Sequence, residues 1–174
     1  MVKFFINPGH GGKDPGKVSA NGLKESEICA NIAEILAKRM KLNGYQFKVY
    51  QQKDSLYDVS KESNKYGADI FISIHCNSAV DPKANGTETW YYKYSIKGGQ
   101  IAKVMQEELI RHLGLRDRGI KSNETFHVLK RTNACAILIE TAFLSNPKEE
   151  KFLKENQEKI ANAIWEGIKK IKDM

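Results

Sequence analysis

The chain has 174 residues, the usual size of one domain with one core, and its 41% hydrophobic and 28% charged residues are the balance of an ordinary globular protein. No apolar run nears the roughly 18 to 20 residues that a membrane-crossing helix needs, which excludes a helical membrane protein. The formal net charge of +7 favours a polyanionic partner, whether nucleic acid, an anionic membrane surface or an anionic cell wall, and does not choose among them; a solvated lysine-rich surface gives the same count.

A first strand is predicted at residues 3–6, and its short apolar stretch runs directly into Pro8 and Gly9. That stretch is too short for a secretory signal, so the expectation is either exit from the cytoplasm by another route or a mature fragment. The first long helix starts near Glu25, carries Ile28, Ile32, Ile35, Leu36 and Met40 on one face, and stops at Asn43 and Gly44. Strands follow at residues 47–50, 70–74 and 87–92, with a surface loop over 78–86 marked by Asp81, Pro82, Asn85 and Gly86. A second helix places Ile101, Val104, Met105, Leu109 and Leu113 on one face before Gly114. Two further strands are predicted at residues 126–129 and 136–139, and a last helix carries Ile160, Ile164, Ile168 and Ile171.

The runs IFISI and AILIE are apolar nearly throughout, the pattern of central strands covered by helices on both faces. The fold class is therefore α/β, as a single domain over residues 1–174. Three cysteines, Cys29, Cys76 and Cys135, fall in a helix, at a strand end and near a strand start, with no CxxC pair. They read as small buried side chains, not as a disulfide framework or a structural zinc knot.

The segment NPGHGGKDPG, residues 7–16, follows the first strand and sets His10 in a glycine-rich loop whose backbone can turn sharply and approach a bound group. It lacks the spacing of either common nucleotide-binding loop. A second histidine, His75, closes the buried run IFISI, and ligand sites in open α/β sheets form at the carboxyl ends of strands. Each histidine alone reads more readily as a hydrogen-bonded structural residue; the two together bring a metal site level with that reading. Hydrolytic zinc takes three protein ligands of His or carboxylate type plus one open position, and Glu25 is the natural third candidate, although an acid in the first turn of a helix also simply complements its dipole. Glu140 ends the run AILIE, where it reads as a strand-end acid or as a general base.

Taken as a set and in order, NPGHGGKDPG, GLKE, SIHCN, GTETWYY and FHVLKRTNACAILIETAFLSN resemble the zinc-dependent N-acetylmuramoyl-L-alanine amidases of the amidase type 3 family. The resemblance implies a twisted, mainly parallel sheet flanked by helices, and a Zn2+ held by His10, Glu25 and His75. It implies Glu140 as the catalytic glutamate, moving a proton from metal-bound water to the leaving amine. It also implies a peptidoglycan substrate cut between the lactyl group of the glycan and L-alanine, hence action at the bacterial cell wall as an autolysin or endolysin domain. Asn7 stands where the family usually has Asp, Lys130 where Arg is common and Cys135 where Pro is common; Asn7 matters if that position supports His10. His127 could border the groove and Asn77 could donate to substrate, while His112 falls on a helix at the surface or core edge.

The charge is compatible with additional contact to anionic wall polymers, and a monomer is expected. Scattered basic residues without stacking aromatics argue against a nucleic-acid binder. The remaining rivals are another zinc amide hydrolase, such as a carboxypeptidase or deacetylase, and a noncatalytic basic wall-binding module.

Overall fold

A computed structural model describes residues 1–174. Six strands, β1 (Lys3–Pro8), β2 (Gln46–Val49), β3 (Ile70–Asn77), β4 (Thr87–Tyr92), β5 (Asp117–Asn123) and β6 (Cys135–Phe143), form one sheet in the order β2-β1-β3-β6-β4-β5. All neighbouring pairs are parallel except β4 with β6. The helices are α1 (Glu25–Leu42), α2 (Leu56–Tyr66), α3 (Ile96–Leu113), α4 (His127–Arg131), α5 (Pro147–Glu155) and α6 (Gln157–Ile171). The expected α/β class and mainly parallel sheet are both present.

Side-chain alternation along the strands divides the interior into two unequal parts. Phe4, Ile6, Ile70, Ile72, Ile74, Ile137 and Ile139 face α1, α3 and α6 in a core of 29 buried residues. Each fully buried Ile or Phe contributes about 1.5–3 kcal/mol of transfer free energy, so most of the stability lies on this face. On the other face Phe5, Phe71, Ala136 and Leu138 form a core of seven buried residues with Val59 of α2 and Val128 and Leu129 of α4, edged by half-buried side chains such as Tyr50, Tyr66, Trp90 and Phe126. Those two helices cover the lower part of the sheet. At its upper end the same alternation sets polar residues on this face: Asn7, Ser73, His75, Glu140 and Glu88.

Local chemistry explains the element ends. Ser55 and Ser95 cap α2 and α3 by accepting from Asp58 N and Gly98 N, and both helices close on glycines in the left-handed region, Gly67 and Gly114. Asn146 caps α5 with Pro147 at its first turn. No side chain caps α1, whose first residue, Glu25, is turned to another use.

One expected strand is a helix. Residues 126–129 lie in and before α4, where Phe126, Val128 and Leu129 pack against the smaller core from one short turn. The strand of that region is β5, DRGIKSN, an edge strand that pairs with β4 alone and carries no apolar run. The helices α2 and α5 escaped the periodicity reading because their buried faces are mostly polar: Val59, Ser60 and Ser63 in one, Glu149, Glu150 and Leu153 in the other.

Candidate metal centre

His10 lies just beyond the carboxyl end of β1, His75 near the end of β3, and Glu25 opens α1, so three elements deliver side chains to one edge of the sheet. One potential ligand atom from each residue falls within 4.8 Å of the other two. His10 Nε2 is 3.1 Å from Glu25 Oε2, and His75 Nδ1 is 3.0 Å from Glu25 Oε1. Glu25 is only 2% exposed and also accepts from Lys17 N at 2.9 Å and Cys76 N at 3.0 Å. The sequence expectation of convergence is met, and Glu25 points into the site.

The loop makes this approach possible through its backbone. His10 has φ 60, a left-handed conformation uncommon outside glycine and tolerated by His better than by branched residues. Gly16, at φ 66, presses against the site: a Cβ there would lie 2.6 Å from His10 Cδ2 and 2.7 Å from Glu25 Oε2. Gly9 is equally close beneath the His75 ring. These glycines are therefore required by contact with the histidines and Glu25 themselves.

Each ring is held through one nitrogen and offers the other. His10 Nδ1 is 2.8 Å from Asp14 Oδ2, leaving Nε2 toward Glu25. His75 Nε2 is 3.0 Å from Ser73 Oγ, leaving Nδ1 toward Glu25. Anchoring one ring nitrogen and freeing the other is how proteins orient metal-binding histidines. Asn7, raised as a support for His10, serves His75 instead. Its Oδ1 accepts from Ser73 Oγ at 2.8 Å, while its amide group donates to Tyr50 O at 2.9 Å and Pro8 O at 3.2 Å. Asp14 takes the role beside His10.

Burial alone would disfavour charge on His10, but the hydrogen bonds and negative charges of Glu25 and Asp14 outweigh it and raise its pKa to about 9. Burial likewise opposes the Glu25 carboxylate, yet His10, His75 and Lys17 N hold it well below the usual carboxylate range. The donor set of two imidazoles and one ionised carboxylate, with both rings oriented from behind, fits a divalent metal of the zinc type.

Glu140 stands beside His75 in the register of β3 and β6. Its Oε2 is enclosed and makes no hydrogen bond. Burial first, then the charges of Glu25 and Glu88, push its carboxyl well above the usual range, with His10 pulling the other way. A carboxyl that is costly to ionise and lacks a partner is suited to trading a proton with a bound molecule.

Glu88, across from Glu140 in the antiparallel register of β4 and β6, escaped the sequence reading although it sits in the motif GTETWYY. It is 3% exposed. Asn77 Nδ2 and Trp90 Nε1 donate to its Oε1 at 3.1 and 3.0 Å; Arg118 Nε and Lys121 Nζ donate to its Oε2 at 2.6 and 2.7 Å. An acid flanked by threonines ahead of an aromatic run is the signal available in the sequence, but β5, which supplies both cations, has no apolar alternation that marks it as a strand.

The other candidates fall elsewhere. Asn77 gives an amide hydrogen to Glu88 and accepts from Ser78 N through Oδ1, so part of its capacity is already used. His127 lies 3.2 Å from Ser60 Oγ in a surface cavity of about 530 Å³ lined by Tyr57, Ser60, Lys61, Asn64, His127 and Arg131, none of them in the metal group. His112 is a half-buried residue of α3 beside Glu108.

Comparison with known proteins agrees with this geometry. The family model described as N-acetylmuramoyl-L-alanine amidase matches residues 4–170. The chain is 34% identical over 172 residues to the N-acetylmuramoyl-L-alanine amidase LytC of Bacillus subtilis strain 168, covering 94% of this chain and 34% of LytC. It is 38% identical over 165 residues to the N-acetylmuramoyl-L-alanine amidase CwlM of Bacillus licheniformis, covering 90% of this chain and 62% of CwlM. It thus spans about a third and under two thirds of these two relatives. The crystal structure of an N-acetylmuramoyl-L-alanine amidase from Clostridium difficile 630 superposes with a TM-score of 0.91 at 32% identity, over 99% of this chain and 97% of that one.

Proposed function

The chain belongs to the N-acetylmuramoyl-L-alanine amidase family, and on that premise we propose that residues 1–174 form a zinc-dependent catalytic domain that hydrolyses the amide between N-acetylmuramic acid and L-alanine in peptidoglycan. The observation that carries this reading is the convergence of His10, Glu25 and His75 beside the unpartnered carboxyl of Glu140. His10, Glu25 and His75 are the residues that would hold Zn2+. When bound, that ion supplies a Lewis-acidic charge that polarises the amide carbonyl and acidifies water.

Glu140 is the proton carrier. Its carboxylate accepts a proton from the attacking water and returns it to the nitrogen of L-alanine as the water oxygen replaces nitrogen on the carbonyl carbon, which gives a lactyl carboxylate and a free alanine amine. Burial suits this role, because a carboxyl with a raised pKa holds the proton between the two transfers. Asp14 keeps the His10 ring in place, and Ser73 with Asn7 does the same for His75.

The target places the activity at the bacterial cell wall, and the net charge of +7 supports additional attraction to anionic wall polymers. Mass spectrometry of fragments released from purified walls, with and without chelator, tests the reading. New alanine amino termini that disappear on chelation are expected. Reducing sugar ends without alanine amines would overturn it, and released acetate or terminal amino acids would indicate a deacetylase or carboxypeptidase.

A further inference from the structure

The carboxylate of Glu88 is matched by two cations. Arg118 and Lys121 form ion pairs with no acid other than Glu88, so these three side chains sum to one positive charge; they lie on β5 and β4, and Glu88 itself is the neighbour of Glu140 on β6. The Glu88 side chain is 4% exposed, whereas those of Arg118 and Lys121 are 26% and 33% exposed, so the anion is shut in and both cations reach the surface. Neutralising a buried acid needs one cation. The second is available to something else.

Both cations also keep donors in reserve. Arg118 uses Nε on Glu88 and one terminal nitrogen on Asn85 O at 3.3 Å, and Lys121 spends one of three ammonium hydrogens on Glu88. Their positions are fixed: the Arg118 guanidinium lies 4.8 Å from the Phe143 ring centroid, and Lys121 Nζ 5.3 Å from that of Trp90. Rigidly placed donors with excess positive charge select an anion, and a planar carboxylate fits an arginine fork.

We propose that Arg118 and Lys121 form a subsite for a carboxylate on the peptide half of the substrate, an inference that rests on the amidase reading. Substrate chemistry selects the peptide half. The sugars carry hydroxyl and acetamide groups, and the lactyl carboxyl of muramic acid is consumed in the amide to be cut. A peptide attached through its amino terminus retains a terminal carboxylate wherever that end is not itself cross-linked.

The test compares two soluble substrates, an N-acetylmuramoyl-L-alanyl dipeptide with a free terminal carboxylate and the same molecule as its carboxamide. With the metal-loaded wild-type protein, KM for the carboxamide should be about tenfold higher, with kcat within about twofold, as expected for loss of a charge-assisted hydrogen bond. Lys121→Met keeps an apolar stem over Trp90 and leaves Arg118 on Glu88; it should bring the ratio of the two KM values close to one. Equal KM values in the wild type overturn the subsite while leaving the amidase reading intact, and so does a Lys121→Met protein that keeps the full discrimination. Cleavage of neither substrate overturns the amidase reading and the subsite with it. The wild-type comparison decides the matter even if the variant folds poorly.

Discussion

Ser73 Oγ stands 3.0 Å from His75 Nε2, and that contact fixes which nitrogen His75 presents to the site. The single hydroxyl hydrogen of Ser73 goes to Asn7 Oδ1, so Oγ can only accept from His75. In neutral His75 the proton therefore sits on Nε2, and Nδ1, on the side of Glu25, is the nitrogen left for a metal ion. Asn7 suffices as the final acceptor because its amide group is spent on Tyr50 O and Pro8 O, leaving Oδ1 for Ser73 with no charge buried.

Replacing Ser73 with Ala should accordingly weaken zinc binding by about ten- to a hundredfold, the usual effect of losing a group that orients a metal ligand. Competitive titration with a fluorescent chelator reads the change, and far-ultraviolet circular dichroism checks the fold. Unchanged affinity would mean that the tautomer is set without Ser73.

Glu140→Gln keeps the size of the side chain and removes its ability to take a proton. Turnover should fall about a hundred- to ten-thousandfold, the range ascribed to general acid–base catalysis, while zinc stays bound. Metal analysis beside kinetics on the same preparation separates the two effects. Activity near wild type would take Glu140 out of the mechanism.

Proton and metal compete for His10. In the metal-free protein the hydrogen bonds and charges of Glu25 and Asp14 overcome burial and lift its pKa to about 9, so the ring binds a proton throughout the neutral range. A ligand nitrogen must be deprotonated, so zinc affinity should weaken as pH falls below about 9, by up to tenfold per unit for this one proton. Calorimetry in buffers of differing ionisation enthalpy counts the protons released. Affinity that stays flat from about pH 9 to about pH 7 would show that the His10 proton is not displaced.

How legible these relations were in the sequence depended on where each signal lay. His10, His75 and Glu140 could be read because each sits at the end of a short apolar run, which marks a strand terminus. Glu25 could not be separated from a helix-dipole acid by spacing alone; burial and its contacts with both rings make the distinction. Asp14 was in plain view four residues after His10, but its reach depends on the turns at Gly11 and Gly12, which no periodicity encodes. Arg118 and Lys121 were hidden because β5 is a polar edge strand held by its ladder to β4, and a strand without an apolar face leaves no alternation to detect.

The charge on Glu88 makes a separate prediction for stability. Burial opposes ionisation, but Lys121 and Arg118 hold its carboxyl below the ordinary value of 4.5. A carboxyl depressed on folding contributes stability that is fully present above the unfolded-state pKa and is lost as pH falls through the lower folded-state value. Glu88→Gln should therefore cost about 2 kcal/mol at neutral pH, toward the low end for a broken buried pair because the two cations can rehydrate. The cost should shrink on acidification below about pH 4, where the wild type itself takes up the proton and forfeits the same interaction. Urea unfolding of both proteins at about pH 7 and about pH 3 reads the two gaps; a gap that stays constant would mean that folding leaves the Glu88 carboxyl unshifted and that Arg118 and Lys121 do not stabilise its ionised form.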